Sequence, residues 1–193
     1  MPEQPIIRVI GGGLAGTEAA WQTAKFGLRV DLYEMRPVRK TAAHTTGNLA
    51  ELVCSNSLKS NDTNHAPGLL KEEMRILDSL ILRAADRSSV PAGMSLSVDR
   101  EAFASFIQQE LERLPNIRIR REEVVAIPSD GVNIIATGPL TSESMAASIR
   151  DFTQSPYLYY YDALSPIVEV DSIDRSVVFA ASRYGKGEGD YLN

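Results

Sequence analysis

IIRVIGGGLAG, residues 6–16, carries the strongest signal for the fold. Its first five residues, Ile6 to Ile10, are mostly apolar and run into three glycines, which is typical of a buried parallel strand that ends in a tight turn. Small and apolar residues from Leu14 to Phe26 then predict a helix that ends at Gly27. Residues Leu28 to Glu34 predict a second strand. Strand, turn, helix and strand within about 35 residues make a βαβ unit, so the sequence predicts an α/β fold.

The glycine turn matches the pattern G-x-G-x-x-G of dinucleotide-binding folds. Gly11 allows the tight turn, Gly13 lets the main chain approach a pyrophosphate, and Gly16 lets the helix pack closely against the strand. The N–H groups at the start of the helix, together with its positive dipole end, favour bound phosphates. We therefore expect the cofactor to contact the whole turn: Gly11, Gly12, Gly13, Leu14, Ala15 and Gly16.

The acid that closes the second strand extends the predicted site. Glu34 follows the turn by about 20 residues, where a carboxylate accepts hydrogen bonds from ribose hydroxyls and repels a 2′-phosphate. The pattern alone does not separate FAD from NAD. Two features favour FAD: Arg36 stands where flavoproteins of the glutathione-reductase type often carry a basic residue, and the strand that ends in Ala136-Thr137-Gly138 resembles the second fingerprint of that family. We therefore add Glu34, Arg36, Thr137 and Gly138 to the expected FAD site.

The remaining sequence predicts further helices and strands. A polar stretch from residue 35 to residue 67 predicts a long functional or disordered loop. Apolar residues spaced three and four apart predict a single helix over 68–84, and Asp99 can cap another helix. The other predicted elements are strands at 117–119, 124–127 and 132–136, a helix from Thr141 to about Phe152, and several short strands over 157–181.

Together these elements predict an α/β chain with a Rossmann-like FAD-binding domain of the glutathione-reductase type and an inserted segment of a second α/β domain. We assign residues 1–90 to the FAD-binding part and residues 91–135 to a helix and strands that complete it. Residues 136–193 are expected to hold the Ala-Thr-Gly turn and the start of a substrate domain.

Composition limits the function classes. A formal net charge of −5 over 193 residues argues against a domain whose main task is to grip nucleic acid, and the basic cluster Arg113, Arg118, Arg120 and Arg121 is expected to be a solvated face. A single cysteine fits a reducing compartment, and no apolar run approaches the roughly 20 residues that span a bilayer. We expect a cytoplasmic protein without a membrane partner. His44 and His65 lack further ligands at metal spacing, so no metal site is expected.

Three stretches make a more specific resemblance. Residues 11–21 (GGGLAGTEAAW), 49–58 (LAELVCSNSL) and 136–142 (ATGPLTS) resemble the folate- and FAD-dependent tRNA (uracil-5-)-methyltransferases, the small relatives of the glucose-inhibited division proteins. The cysteine stretch discriminates best, because generic flavoproteins have nothing similar there. The resemblance implies methylation of uracil C5 in the T-loop of tRNA. It also implies methylenetetrahydrofolate as the carbon donor, FAD as the carrier of carbon and reducing equivalents, and NAD(P)H as the reductant.

The same resemblance implies that Cys54 is catalytic. Uracil C5 is a poor nucleophile, and a thiolate that adds at C6 activates it. A cysteine of lowered pKa suits that addition, or the proton removal that follows it. The family uses two cysteines and is longer than this chain, so the chain is expected to be its N-terminal portion. Three alternatives stay open: a non-catalytic FAD-binding chain, an FAD-dependent oxidoreductase in which Cys54 is only a small buried residue, and a ribosomal RNA substrate.

Overall fold

The computed structural model describes residues 5–155, 157, 169–181 and 191–192. The chain divides into two compact units. The first comprises Met1–Glu51 and Ala104–Asp162, and the second comprises Leu52–Phe103 and Ala163–Asn193.

Short helices and strands alternate along both units. In chain order they are β1 (Ile6–Ile10), α1 (Leu14–Lys25), β2 (Arg29–Tyr33), β3 (Ser57–Ser60), α2 (Ala66–Ile76), α3 (Leu80–Arg87), β4 (Ser89–Val90), β5 (Ser95–Val98), α4 (Arg100–Glu112), β6 (Ile117–Arg120), β7 (Val132–Ile135), α5 (Glu143–Thr153), a 3₁₀ turn (Val170–Ser172), β8 (Ala180–Ala181) and β9 (Tyr191–Leu192). Among the helices of the described residues, none is long and apolar enough to cross a membrane.

A parallel sheet of four strands forms the centre of the first unit, in the order β6-β2-β1-β7. β1 lies between two neighbours, with Ile10 opposite Tyr33 on one side and opposite Ile135 on the other. Val9 and Leu32 are fully buried, as expected for strands covered on both faces. Because the strands are parallel, their carboxyl ends lie at one edge, which is where α/β folds bind ligands. The predicted βαβ unit is confirmed.

Helix α1 packs against this sheet through a face of mostly small residues. Its buried residues are Gly16, Thr17, Ala20, Trp21 and Ala24. A Cβ added at Gly16 would overlap the carbonyl oxygen of Gly11, so the helix and the glycine turn approach too closely for any side chain. The helix ends before Gly27, whose φ of +76° favours glycine.

The second unit contains an antiparallel sheet in the order β3-β5-β4. α3 packs on β5, and α2 packs on α3 and β3. Residues 52–103 therefore belong to the second unit, because their strands pair with one another and not with the parallel sheet. The ranges 1–90 and 91–135 given from the sequence have other boundaries than this division, and the functional assignment of those ranges stays a prediction.

The single helix expected over residues 68–84 is wrong, because the structure has two helices there. The chain turns at Asp78, which has a φ of 57°. Ser79 then caps the next helix, its Oγ accepting a hydrogen bond from the Leu82 N–H at 3.3 Å. The apolar spacing continues across the break, but Leu70 and Leu77 are exposed at 56% and 70%. The apolar spacing over residues 68–84 therefore runs across two separate helices, α2 and α3, and does not mark one continuous buried face.

Other boundaries also differ. Residues 124–127 form no strand, and the Ile127 N–H donates to the Ser148 hydroxyl at 3.0 Å. Helix α5 is capped by Ser142 rather than Thr141, whose hydroxyl donates to the Gly138 carbonyl oxygen at 2.6 Å. The polar stretch 35–67 contains β3. Of the range 157–181, where several strands are expected, residues 158–168 lie outside the described residues, and residues 169–181 hold one short strand. The helix after Asp99 is confirmed, with Asp99 Oδ1 accepting from the Ala102 N–H at 2.8 Å.

Candidate functional site

The glycine turn leaves β1 and crosses the end of β7. Gly11 has a φ of +108°, and a Cβ there would overlap the carbonyl oxygen of Ala136. Its N–H donates to the Tyr33 carbonyl oxygen at 2.9 Å, which ties the turn to β2. At Gly13 the surroundings are open, since an added Cβ would meet no described atom within 4 Å. The turn is therefore packed against the sheet at Gly11 and open at Gly13.

The start of helix α1 faces this opening without a protein cap. Gly13 is the N-cap residue, and the first turn, described in full, contains neither a capping side chain nor an acidic residue. Leu14 and Ala15 are exposed. The first N–H groups of a helix have no partner within it, and together with the dipole they attract anions. An open glycine before an uncapped helix fits a diphosphate group.

Glu34, at the end of β2, is 6% exposed and connects the turn to the strand. Its Oε2 accepts from the Gly12 N–H and from Arg36 Nη2, both at 3.1 Å. Its Oε1 accepts from the Arg36 N–H at 2.9 Å and from Arg36 Nε at 3.0 Å. A carboxylate offers about four lone-pair sites, so donors of the protein engage all of them in this structure. Its role as a ribose acceptor stays a prediction.

The pKa of Glu34 lies below its ordinary value of 4.5. Burial alone raises the pKa of this carboxyl. The hydrogen bonds and charge of Arg36, together with the Gly12 N–H, lower the pKa by more than burial raises it. Glu34 is therefore a carboxylate at neutral pH, despite its burial.

Arg36 is a buried cation held between two acids. Its side chain is 2% exposed, and Nη1 contacts Glu51 Oε2 at 2.8 Å on the side away from Glu34. Glu51 also accepts hydrogen bonds from the backbone and hydroxyl groups of Thr45 and Thr46. The sequence pattern predicts Arg36 in the site but does not reveal Glu51 as its partner, although Glu51 stands in the stretch 49–58 that carries the resemblance.

Arg121, the residue directly after β6, fixes the same loop. Its Nη1 donates to the carbonyl oxygens of Arg36 at 3.1 Å and Gly47 at 2.7 Å, and its Nη2 donates to Gln108 Oε1 at 3.2 Å. Burial lowers the pKa of Arg121 from its ordinary value. The expectation that it belongs to a solvated basic face is wrong, because three acceptors of the protein surround its guanidinium. Arg118, within β6, is exposed as expected.

The second fingerprint, Thr137 and Gly138, follows β7 and lies beside the first. The Ala136 N–H donates to the Ile10 carbonyl oxygen at 2.8 Å, and a Cβ at Gly11 would lie 2.8 Å from the Cα of Thr137. Gly138 has a φ of +65°, with no described atom within 4 Å of an added Cβ. The structure thus brings together the predicted residues of both fingerprints at one sheet edge, and their contact with a cofactor stays a prediction.

Cys54 belongs to the second unit and is half-buried. It precedes β3, and the chain beside it is held at the end of β5, where Asn56 exchanges two hydrogen bonds with Val98, both at 3.0 Å. A defined backbone therefore carries the thiol, whose catalytic role stays a prediction.

His44 lies in the loop of the first unit, with Nδ1 2.6 Å from the Thr41 hydroxyl. Burial and then the charge of Arg36 lower the pKa of His44, against the opposing effects of Glu51 and Glu34. The imidazole is therefore neutral at neutral pH.

Solved structures show the same fold. GidA of Aquifex aeolicus superposes with a TM-score of 0.55 in its form I crystal, with 19% identity over 70% of this chain and 25% of that chain. The form II crystal gives a TM-score of 0.51 at 21% identity, over 66% of this chain and 21% of that chain. The predicted Rossmann-like α/β fold is confirmed.

Curated relatives are much more similar in sequence. A protein of Lactobacillus gasseri named methylenetetrahydrofolate–tRNA-(uracil-5-)-methyltransferase TrmFO is 58% identical over 187 residues. A protein of the same name from Bacillus licheniformis is 57% identical over 187 residues. Each match covers 97% of this chain and 43% of the relative, so the chain spans less than half the length of these relatives. The model of the family described as glucose inhibited division protein A matches residues 6–193. The chain belongs to the glucose inhibited division protein A family.

Proposed function

We propose that the protein binds FAD at the glycine turn and acts as a folate-dependent tRNA (uracil-5-)-methyltransferase. The observation that carries the proposal is the open space at Gly13, directly before the uncapped N-terminus of helix α1. It occurs in a chain that is 58% identical to a relative of that name. The expected product is 5-methyluridine in the T-loop of tRNA. Methylenetetrahydrofolate is the expected carbon donor, and NAD(P)H is the expected reductant.

The two fingerprints divide the work of binding. The backbone of the glycine turn and the first N–H groups of α1 would receive the diphosphate of FAD. Glu34 and Arg36 stand at the end of β2, where the adenosine ribose would lie, and Thr137 and Gly138 would border the cofactor from β7. When bound, FAD supplies the transfer of a one-carbon unit from folate and the reducing equivalents that convert it to a methyl group.

Cys54 is the proposed catalytic residue of this chain. As a thiolate it can add to C6 of uracil, which places negative charge on C5 and makes C5 a nucleophile. Alternatively it can assist removal of the C5 proton after the carbon has been attached. Both roles require a thiol at position 54, and the second relevant cysteine of the family has no counterpart in residues 1–193.

The proposed setting is the cytoplasm, where a reducing medium keeps a catalytic thiol reduced. The proposed partners are tRNA and a reduced folate. With a formal net charge of −5, the protein is expected to grip RNA through a local surface and not through its overall charge.

The full-length gene product tests the proposal in two steps. The purified protein should show flavin absorbance, or acquire it when saturated with FAD. It should then transfer labelled carbon from methylenetetrahydrofolate to tRNA in the presence of NADH or NADPH. Cys54→Ala should abolish the transfer and keep FAD binding, which separates a chemical role from a folding defect.

Other outcomes identify the alternatives. Label that enters ribosomal RNA instead of tRNA would identify a different RNA substrate. FAD binding and NAD(P)H oxidation without labelled RNA would favour an oxidoreductase of another kind. FAD binding without turnover under any donor would favour a non-catalytic flavin-binding protein, and failure to bind FAD would overturn the proposal at its base.

A further inference from the structure

We infer that Glu51 is a positioning residue for the cofactor: through Arg36 it holds the Glu34 carboxylate in the orientation that receives the ribose diol of FAD. The inference rests on the proposed function, because it concerns the same site. It assigns a role to Glu51, which lies in the motif of residues 49–58 but has no role there in the sequence analysis, and it links the loop of residues 35–51 to ligand affinity.

The first step is the burial of the Arg36 guanidinium. A cation that is 2% exposed is costly unless acceptors surround it. Arg36 meets Glu34 through Nε and Nη2 and meets Glu51 through Nη1. The two acids occupy different edges of the planar guanidinium, so each limits its rotation. Glu34 alone would leave the Nη1 edge with only the Thr46 carbonyl oxygen, at a distance of 3.5 Å.

The second step is the fixation of Glu51 itself. Its Oε1 accepts from the Thr45 N–H at 2.8 Å and from the Thr45 hydroxyl at 2.9 Å. Its Oε2 accepts from the Thr46 hydroxyl at 2.8 Å. The Glu51 side chain is 12% exposed, whereas the two threonines that donate to it are exposed. Glu51 therefore presents Oε2 to Arg36 from a fixed position.

The third step connects Glu51 to the glycine turn. The neighbouring residue Ala50 has a φ of 53°, and its N–H donates to the Gly12 carbonyl oxygen at 2.8 Å. The Gly12 N–H in turn donates to Glu34. The segment that carries Glu51 thus contacts the turn directly, and Arg36 contacts the same Glu34 carboxylate through Nε and Nη2.

The last step concerns the ligand. Protein donors already occupy both oxygens of Glu34, so a ribose hydroxyl must share an oxygen with them or displace one of them. Arg36 keeps its place in either case, since its Nη1 stays bound to Glu51. Without the Glu51 charge, the Arg36 guanidinium would be free to rotate when a ribose hydroxyl displaces one of the protein donors on Glu34. The Glu34 carboxylate would then lose its orientation toward the diol.

The test compares ADP with 2′,3′-dideoxy-ADP, two probes that differ in the diol alone. Binding to the full-length protein and to Glu51→Gln is measured by titration calorimetry, together with FAD. The wild type should prefer ADP about tenfold or more, the expected value of a hydrogen bond to a charged group. Glu51→Gln should lose most of this preference and weaken FAD binding about tenfold, with little change for the dideoxy probe.

Equal losses for both probes in Glu51→Gln would overturn the inference, because a merely structural role does not distinguish the diol. Unchanged FAD affinity would overturn it as well, while leaving the proposed function intact. A wild type that binds neither FAD nor ADP would overturn both. Asp130→Asn is the matched control: it removes an exposed carboxylate that pairs with Arg8 at 3.0 Å in the same unit, and it should leave the preference unchanged.

Thr46→Val keeps the test decisive should Glu51→Gln fail to fold. It removes one hydroxyl donor from Glu51 and leaves the charge in place. A smaller loss of the ADP preference is expected, because Glu51 then holds Arg36 less firmly. A preference equal to that of the wild type in a folded Thr46→Val protein would overturn the inference when Glu51→Gln does not fold.

Discussion

Arg36 contacts both carboxylate oxygens of Glu34, two residues earlier in the chain, through Nε at 3.0 Å and Nη2 at 3.1 Å. Because the same guanidinium contacts Glu51, its removal would leave both carboxylates without the cation that they share. We expect Arg36→Met to lower the free energy of unfolding by about 3 kcal/mol or more. Urea denaturation of the wild type and the variant measures the difference.

The control for that prediction removes the charges together. The triple variant Glu34→Gln, Arg36→Met, Glu51→Gln removes all three charges of this cluster, so it should recover part of the stability lost in Arg36→Met. If the triple variant is less stable than Arg36→Met by the sum of the separate effects of Glu34→Gln and Glu51→Gln, the three groups do not act as one network.

Acid should weaken the same network. In the folded state burial raises the pKa of Glu34, but Arg36 and Gly12 outweigh burial, so the net shift is downward. Burial likewise raises the pKa of Glu51, and the hydrogen bonds from Thr45 and Thr46 outweigh it, so this pKa is also lowered. The unfolded chain then binds more protons than the folded one at acid pH, so stability is full above the ordinary carboxyl pKa of 4.5 and is lost as pH falls through the lower folded values.

We therefore expect the free energy of unfolding to fall as the pH is lowered from about 5 to about 3.5. Glu51→Gln should show a shallower decline over the same range, because one of the titrating groups is gone. Urea denaturation at several pH values measures both slopes. Identical slopes for the wild type and Glu51→Gln would contradict the assignment of a lowered pKa to Glu51.

Arg121 should control the order of the loop that carries Thr46 and Gly47. Its guanidinium donates to the carbonyl oxygens of Arg36 and Gly47, which no other described side chain is shown to contact. Arg121→Met should therefore speed amide hydrogen exchange over residues 45–50, measured by mass spectrometry. Arg118→Met removes an exposed arginine from the adjoining strand β6 and should leave exchange in the loop unchanged. Equal effects of the two variants would show that charge alone, and not the bonds of Arg121, orders the loop.

The parts of the site that the sequence predicted are those set by local pattern. The glycine turn follows an apolar strand directly, and Glu34 ends the next strand, so spacing alone located them. The bond from Arg36 to Glu51 spans 15 residues and the bond from Arg121 to Arg36 spans 85. No periodicity reveals such contacts, because they depend on how loops fold back on the sheet. The sequence pattern does not reveal the helix break at Asp78 for a similar reason. The apolar spacing continues through the break, although Leu70 and Leu77, which contribute to that spacing, are exposed in the structure.

A substitution at Gly16 should reduce the stability of the fold before it affects ligand binding. A Cβ there would overlap the Gly11 carbonyl oxygen, an atom of the backbone that has little room to move. We expect Gly16→Ala to lower the free energy of unfolding by about 3 kcal/mol or more. Thermal unfolding followed by circular dichroism measures the loss, and a variant as stable as the wild type would show that helix α1 can shift away from the turn.

Gly13 should behave in the opposite way, although it lies three residues away in the same motif. Its φ of −77° suits any residue, and a Cβ would meet no described atom within 4 Å. Gly13→Ala should therefore change the free energy of unfolding by less than about 1 kcal/mol, the scale of an N-cap substitution. The added methyl group would stand in the open space where a diphosphate approaches the first N–H groups of α1, so FAD affinity should fall at least tenfold, or about 1.4 kcal/mol. Flavin fluorescence titration measures that affinity, and urea denaturation of the same sample measures stability. A folded Gly13→Ala protein that binds FAD as tightly as the wild type would contradict the assignment of this opening to the diphosphate.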